Sequence, residues 1–246
     1  MEPILNVENL TKVFSRQGQE DFTAVNGISF DLFPGECLAI IGESGSGKTT
    51  AVNMISRLVD ATSGRITLES RDITHLKGKE LRDCYRTMQM VFQTPTDSFD
   101  PRRTLGDGIG ESLRNAGVSR KETRERVEAL LERCGLPKEF GDRYPHQVSG
   151  GQCQRAAIAR ALAIEPKLLI CDEATSALDV TVQKEIMELL NELRRQQGQD
   201  LSILFICHDI SLVQQFADRV LVMYQGNIVE EGTPADVICH PKNDYT

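Results

Sequence analysis

The sequence predicts an α/β fold: a parallel sheet wrapped by helices, an antiparallel β layer ahead of it, and a helical segment inserted mid-chain. Three observations predict it. Continuous apolar runs, "CLAII", "KLLIC" and "SILFIC", read as strands buried on both faces. Helical repeats alternate with such runs, as in "VQKEIMELLNELRRQQ", where Ile186, Leu189, Leu190 and Leu193 share one face. That alternation builds a parallel sheet covered on both sides. Between residues 94 and 164 the alternation stops and helical periodicity replaces it.

The elements follow in chain order. "ILNVENLTKVF" and "AVNGISFDLFPGE" mix strand-like residues with turn signals at Asn26-Gly27 and Pro34-Gly35, which predicts the antiparallel layer. "TTAVNMISRLV" reads as a helix, with Val52, Ile55 and Leu58/Val59 at helical spacing. "SGRITLESRDI" adds a strand pair, residues 74–86 form a polar, charged tract, and "TMQMVFQ" is a short strand. "TPTDSFDPRRT" carries two prolines and no period, so it reads as a loop. In "SRKETRERVEALLERCGL", Ser119 and Glu122 have capping-box spacing, and Val127, Leu130, Leu131 and Cys134 fall on one helical face. A second helix starts at Ser149 and runs through "QRAAIARALA". After Pro166 come the strand–helix pairs, a short helix at "SLVQQFA", and a hairpin in "RVLVMYQGNIVEEG" turning at residues 225–227.

The whole chain, residues 1–246, reads as one domain: a core from 1–93 and 165–246, and a helical subdomain at 94–164. A net charge of −8 argues against nucleic acid as a partner, since domains that bind it carry a basic face. No stretch approaches the roughly 18 consecutive apolar residues of a membrane span. The opening "MEPILNVENL" lacks the basic n-region of a signal peptide, so the expectation is a cytosolic protein that reaches a membrane only through a partner. The seven cysteines are scattered, without a C-x-x-C pair; several interrupt apolar runs, as in "LLICDE" and "ILFICHD", and there read as small buried hydrophobes in a reducing compartment.

The chemistry begins at "GESGSGKTT", directly after the apolar run "CLAII". Glycine reaches backbone angles that side chains forbid, so consecutive N–H groups can turn inward around an anion, with a helix N-terminus behind them. Gly42, Gly47, Lys48 and Thr49 match the phosphate-loop spacing, in which the lysine meets phosphates and the hydroxyl meets Mg²⁺. In "KLLICDEATSALD" a buried strand ends in Asp172, placed to hold Mg²⁺, and Glu173 beside it can accept a proton from an attacking water. "VSGGQCQR" supplies a further helix start, with Ser149 as cap and Gly150-Gly151 exposing N–H groups.

These motifs, followed by a histidine after the next strand in "FICHD", resemble in this order the ATP-binding subunits of ATP-binding-cassette (ABC) proteins over essentially the whole chain. The resemblance implies a P-loop NTPase core with ATP and Mg²⁺ as ligands. It makes Ser44, Gly45, Ser46, Gly47, Lys48, Thr49 and Thr50 the phosphate loop, and Gln93 the Q-loop glutamine that reaches Mg²⁺ and the attacking water. Ser149, Gly150, Gly151 and Gln152 become the signature that completes the ATP site of an opposite subunit, and Asp179 couples the two sites. Asp172 becomes the metal-site carboxylate, Glu173 the general base and His208 the switch histidine. Phe14 is the aromatic residue expected to stack on adenine, with Phe22 as a rival.

Three departures from the family pattern stand out: Val148 for leucine, Cys153 where arginine is common, and "DEAT" for "DEPT". None removes a catalytic group. Lys48 and Ser149 lie only 101 residues apart, too few for the long coiled coils of ABC proteins acting on DNA, and the one cassette in this sequence sets the expectation against the two-cassette ribosomal type. "MVFQTPTDSFDPRRTLGDGI", "SALDVTVQKEIMELLNEL" and "HPKNDYT" are similar to the importer group for peptides and nickel. That implies a homodimer or a heterodimer with a second ABC ATPase, transmembrane permease subunits and a substrate-binding protein as partners, at the cytoplasmic face of the cell membrane. The loop at 94–104, with Phe99 and Arg102-Arg103, would meet the permease. A soluble cassette of a cytosolic enzyme complex, of the carbon–phosphorus lyase type, is the alternative. Members of the peptide group often continue past "YT" with a basic tail, which this sequence does not include.

Overall fold

The computed structural model describes residues 2–15, 18, 20–172, 179–196 and 201–246. β1 (Leu5–Phe14) and β2 (Phe22–Leu32) pair antiparallel and lead to β3 (Cys37–Ile41), which runs through the phosphate-loop sequence into α1 (Lys48–Ile55). β4 (Ser63–Leu68) and β5 (Arg71–Asp72) complete a four-stranded antiparallel sheet in the order β2-β1-β4-β5. α2 (Gly78–Thr87) and β6 (Met88–Val91) follow. Then come α3 (Leu105–Ile109), α4 (Glu111–Asn115), α5 (Arg120–Arg133) and α6 (Gly150–Leu162). The chain ends with β7 (Leu168–Asp172), α7 (Val180–Gln196), β8 (Ser202–Ile206), α8 (Ile210–Phe216), β9 (Arg219–Tyr224), β10 (Asn227–Gly232) and α9 (Pro234–Cys239). A six-stranded sheet orders these strands β10-β9-β3-β8-β7-β6, parallel throughout except for the β9–β10 hairpin.

Side-chain alternation along the central strands divides the core. Leu38 and Ile40 of β3, Leu168 and Ile170 of β7, and Leu204 and Ile206 of β8 face α1 and the antiparallel sheet. The alternate residues, Cys37, Ala39, Leu169, Cys171, Ile203 and Phe205, face a second apolar cluster. That cluster continues without a break through Ile158 and Leu162 of α6 to Val127, Leu131 and Phe140. The helical segment is therefore joined to the sheet by packed side chains, with α6 as the shared element. Among the described residues no helix is long and apolar enough to cross a membrane.

Several expectations need correction. Asn26-Gly27 does not end a strand: it lies inside β2, where Gly27 at φ +64° takes up a register shift between the pairs Leu10↔Ile28 and Lys12↔Val25. α1 stops at Ile55 because Arg57 turns to φ +60°, so Leu58 leaves the helix and is 54% exposed. Ser119 caps α5 by accepting from the Glu122 N–H at 3.3 Å, but the Glu122 carboxylate bonds Arg126 at 2.7 Å instead of closing the box. The tract 74–86 contains α2, in which Cys84 alone is buried, too little to produce a visible period. Phe99 is not a contact residue of an exposed loop: it is buried, under the Arg160 guanidinium at 5.1 Å from the ring centroid. Arg102 and Arg103 do face solvent, each paired with a carboxylate, Asp100 and Glu111 respectively.

Candidate functional site

β3, β8, β7 and β6 are neighbouring parallel strands, so their carboxyl ends form one edge of the sheet, where open α/β sheets bind ligands. The phosphate loop leaves β3 there, Asp172 ends β7, His208 follows β8 and Gln93 follows β6. Four separate sequence motifs thus reach one edge through strand order alone.

β3 is buried on both faces up to Ile40, so the chain must leave the sheet abruptly. Gly42 makes the exit at φ +148°; a Cβ there would lie 2.2 Å from the Met223 carbonyl oxygen on β9. Gly47, at φ +103°, is as confined, since a Cβ would lie 2.4 Å from the Ala24 carbonyl oxygen of β2. Between them the Ser46 N–H donates to the Glu43 carbonyl at 3.2 Å, closing a turn. The β9–β10 turn, with Gln225 and Gly226 both at positive φ, braces this loop from outside. The Gly226 N–H donates to the Ser46 carbonyl at 2.9 Å, and the Gly226 carbonyl accepts from the Asn26 N–H at 2.8 Å. The loop is therefore fastened to the β9–β10 hairpin, and through it to β2, before it enters α1.

Within it, the Lys48 ammonium is buried and donates to the Gly42 and Glu43 carbonyls, both at 2.7 Å, and to Ser46 Oγ at 3.3 Å. Ser44, Gly45 and Thr49 are exposed, and Thr50 is half-buried. Alternation along β7 puts Asp172 on the same face as Leu168 and Ile170, toward α1. There the Thr49 hydroxyl donates to Asp172 Oδ1 at 3.3 Å, across 123 residues of sequence. Asp172 and Gln93 line one cavity of about 630 Å³ together with Asn53, Phe92 and Arg160. Burial pulls the Arg160 guanidinium below its ordinary pKa, an effect that Glu111 partly offsets. His208 is exposed at the same edge, and Asp209 beside it caps α8 through the Ser211 N–H at 2.8 Å. Glu173 lies outside the described residues.

The signature residues are elsewhere. Ser149 and Gln152 form a complete capping box on α6: Ser149 Oγ accepts from the Gln152 N–H at 3.3 Å, and Gln152 Oε1 accepts from the Ser149 N–H at 2.9 Å. Gly150 is exposed, and Gly151 packs against α7, where a Cβ would lie 2.7 Å from Val182 Cγ1. Asp179 caps α7 by accepting from the Val182 N–H at 3.0 Å. Ser149, Gly151 and Gln152 line a cavity of about 430 Å³ that shares no residue with the one holding Gln93 and Asp172. Within one chain the structure does not bring the signature to the phosphate loop.

Phe14 and Phe22 are directly opposed across β1 and β2, 41% and 62% exposed, and the Lys12 ammonium lies 5.1 Å from the Phe14 centroid. Both rings stand at one end of the same hairpin. Val148, half-buried against the helical cluster, keeps the packing that leucine would supply. Cys153 is fully buried, so its side chain acts in packing and not on the surface charge of α6. Sequence reasoning missed Leu58 and Phe92, whose exposed apolar side chains line the Gln93 cavity. Their signal, apolar residues flanking two motifs, is indistinguishable from core in one dimension.

Comparison with known proteins shows the family and the fold. A family model described as ABC transporter matches residues 25–176. The oligopeptide transport ATP-binding protein OppF of Salmonella typhimurium is 45% identical over 232 residues, 94% of this chain and 69% of that protein. The glutathione import ATP-binding protein GsiA of Pectobacterium atrosepticum is 46% identical over 252 aligned positions, 100% of this chain and 40% of that one. Among solved structures, the ATP-binding cassette MJ0796, in a dimeric post-hydrolysis state bound to ADP and Pi, superposes with a TM-score of 0.85 at 31% identity. The match covers 94% of this chain and 98% of the cassette. CbiO1 from Clostridium perfringens, part of the ABC transporter complex cbiONQ, gives 0.85 at 31% identity, covering 98% of this chain and 92% of that one.

Proposed function

Because the chain belongs to the ABC transporter family of ATP-binding subunits, we propose that it hydrolyses ATP to power an importer, with a peptide as the cargo. The reading of the cargo is supported by OppF and GsiA, named for oligopeptide transport and glutathione import. Those relatives are transport proteins, which does not favour a soluble enzyme complex.

One observation carries the chemistry: a hydroxyl at the start of α1 and a carboxylate at the end of β7 meet at 3.3 Å beside a lysine already placed on a ring of oxygens. Thr49 Oγ1 and Asp172 are hard oxygen donors of the kind Mg²⁺ takes alongside substrate phosphates, so the residues present fit that ion. When bound, the ion supplies charge neutralisation at the β- and γ-phosphates. Lys48 exchanges its carbonyl partners for phosphate oxygens, and the loop N–H groups and α1 terminus take the remaining negative charge. Glu173 accepts the proton of the attacking water, Gln93 orients that water, and His208 contacts the γ-phosphate. Phe14 stacks on the adenine.

The signature at Ser149, Gly150, Gly151 and Gln152, in its separate cavity, serves the nucleotide of a second ATPase subunit, reached across Asp179. The Gln93 cavity, with exposed Leu58 and Phe92 at its wall, receives a permease segment, so that a membrane partner senses the nucleotide through Gln93 and the helical subdomain of residues 94–164. A substrate-binding protein would deliver the cargo on the opposite side of the membrane, leaving this subunit on the cytoplasmic face.

Steady-state hydrolysis and nucleotide binding test the reading. Lys48→Ala should lose ATP binding, whereas Glu173→Gln should keep it and lose turnover by about 10²-fold or more. Undiminished hydrolysis by Glu173→Gln would overturn the assignment of the base.

A further inference from the structure

Tyr245 lies in the closing "HPKNDYT" stretch, to which no part in the ATP site was assigned above, and is separated from Glu43 of the phosphate loop by 202 residues of sequence. Its phenol oxygen nevertheless accepts a hydrogen bond from the Glu43 N–H at 3.0 Å. That N–H shares a peptide unit with the Gly42 carbonyl, which accepts from Lys48 Nζ at 2.7 Å. In a trans peptide the N–H and C=O point in opposite directions from one rigid plane. The plane joining Gly42 to Glu43 is therefore held at both edges, by the phenol on one side and the ammonium on the other.

Tyr245 is itself braced. Its ring centroid lies 4.1 Å from that of Tyr224, the last residue of β9, and its N–H donates to Asn243 Oδ1 at 3.0 Å. The strap carrying it is fastened to β10 by Glu230, which is 8% exposed. One carboxylate oxygen of Glu230 accepts from the Lys242 N–H at 2.9 Å and the other from the Asn243 N–H at 3.1 Å. A hydrogen bond from Thr246 and these two N–H groups hold the Glu230 carboxyl below the usual carboxylate range, so it remains an acceptor at neutral pH. β9, whose Tyr224 packs on the Tyr245 ring, lies beside β3 in the sheet, so that ring and the loop rest on adjacent strands.

We infer that Tyr245 is a positioning residue for nucleotide binding: it holds the Gly42–Glu43 peptide, and so keeps the loop shaped for a triphosphate, once Lys48 has left the Gly42 carbonyl for phosphate oxygens. The inference rests on the reading of this loop as the ATP site. Tyr245 touches no reacting atom; it acts through the peptide that Lys48 grips.

Tyr245→Phe removes the acceptor and keeps the ring against Tyr224. The test compares Mg-ATP affinity by calorimetric titration, KM and kcat for hydrolysis, and nucleotide-free melting temperature in wild type and variant. Loss of one hydrogen bond predicts about three- to tenfold weaker Mg-ATP binding, with KM raised in step and kcat within about twofold. The melting temperature should fall by no more than about 2–4 °C, which is what one hydrogen bond accounts for in a chain of this size. Equal affinity in the two proteins overturns the inference while leaving the ATP site standing. A loss of affinity accompanied by a large drop in melting temperature overturns it too, since the bond would then be merely structural. If the wild type fails to bind Mg-ATP, the ATP-site reading fails and takes this one with it.

Discussion

Cys37, Cys134 and Cys153 show how burial controls a side chain's chemistry. Burial pushes the thiols of Cys37 and Cys134 up to about 12 and that of Cys153 up to about 11, so almost none of their thiolate forms at neutral pH. Cys239, at the end of α9, is the one exposed cysteine. We predict that a water-soluble thiol reagent labels Cys239 first in the folded protein and that Cys239→Ser removes the fast phase; rapid labelling that survives this substitution would contradict the burial. The apolar neighbours in "LLICDE" and "ILFICHD" make burial legible for Cys171 and Cys207. The consequence of Cys153 was not legible, because a family comparison of side-chain charge says nothing about which way the position faces. Lys48, Thr49 and Asp172 were singled out because phosphate and Mg²⁺ chemistry needs those residue types at that spacing, and the fold brings Thr49 to Asp172. Phe99 was not: its burial depends on Gly108 and Arg160, which only the folded helical segment brings to it.

At the level of elements, α6 begins with a capping box whose two side chains satisfy the Ser149 and Gln152 N–H groups. Ser149→Ala removes one of these acceptors and should cost about 1 kcal/mol. That corresponds to a fall in melting temperature of about 2–4 °C for a chain of this size. Ser149→Asp keeps a capping oxygen and should hold stability, yet places a negative charge where a partner's nucleotide phosphate would arrive, so nucleotide-driven pairing should fail. Calorimetric melts of both variants decide: an unchanged melt for Ser149→Ala would mean that the box is not holding the helix. Strands β3, β7 and β8 were legible from their unbroken apolar runs, and α7 from its period. α2 was hidden by its polarity, and α1 was overextended because nothing in "SRLV" announces that Arg57 adopts positive φ.

For the whole molecule, the separation of the two cavities makes a single chain chemically incomplete under the proposed mechanism. Glu173→Gln, which should bind ATP without consuming it, is expected to sediment as a dimer at saturating Mg-ATP and as a monomer without nucleotide. Adding Lys48→Ala should abolish the dimer. A monomer under both conditions would count against self-pairing and point to a heterodimer with a second ATPase. The layered architecture was legible in the alternation of strand and helix. The separation of the signature from the loop of its own chain was expected from the family resemblance alone, since helix order carries no information about which end of a helix faces which subunit.

The disjoint cavities also have a genetic meaning. If each nucleotide is enclosed by the loop of one copy and the signature of another, damage at either motif is not private to the copy that carries it. A copy with a ruined loop and a copy with a ruined signature, each inert with its own kind, would together assemble one enclosure from two sound halves and one from two broken halves. Such alleles would complement in part, whereas two loop alleles would leave every enclosure defective.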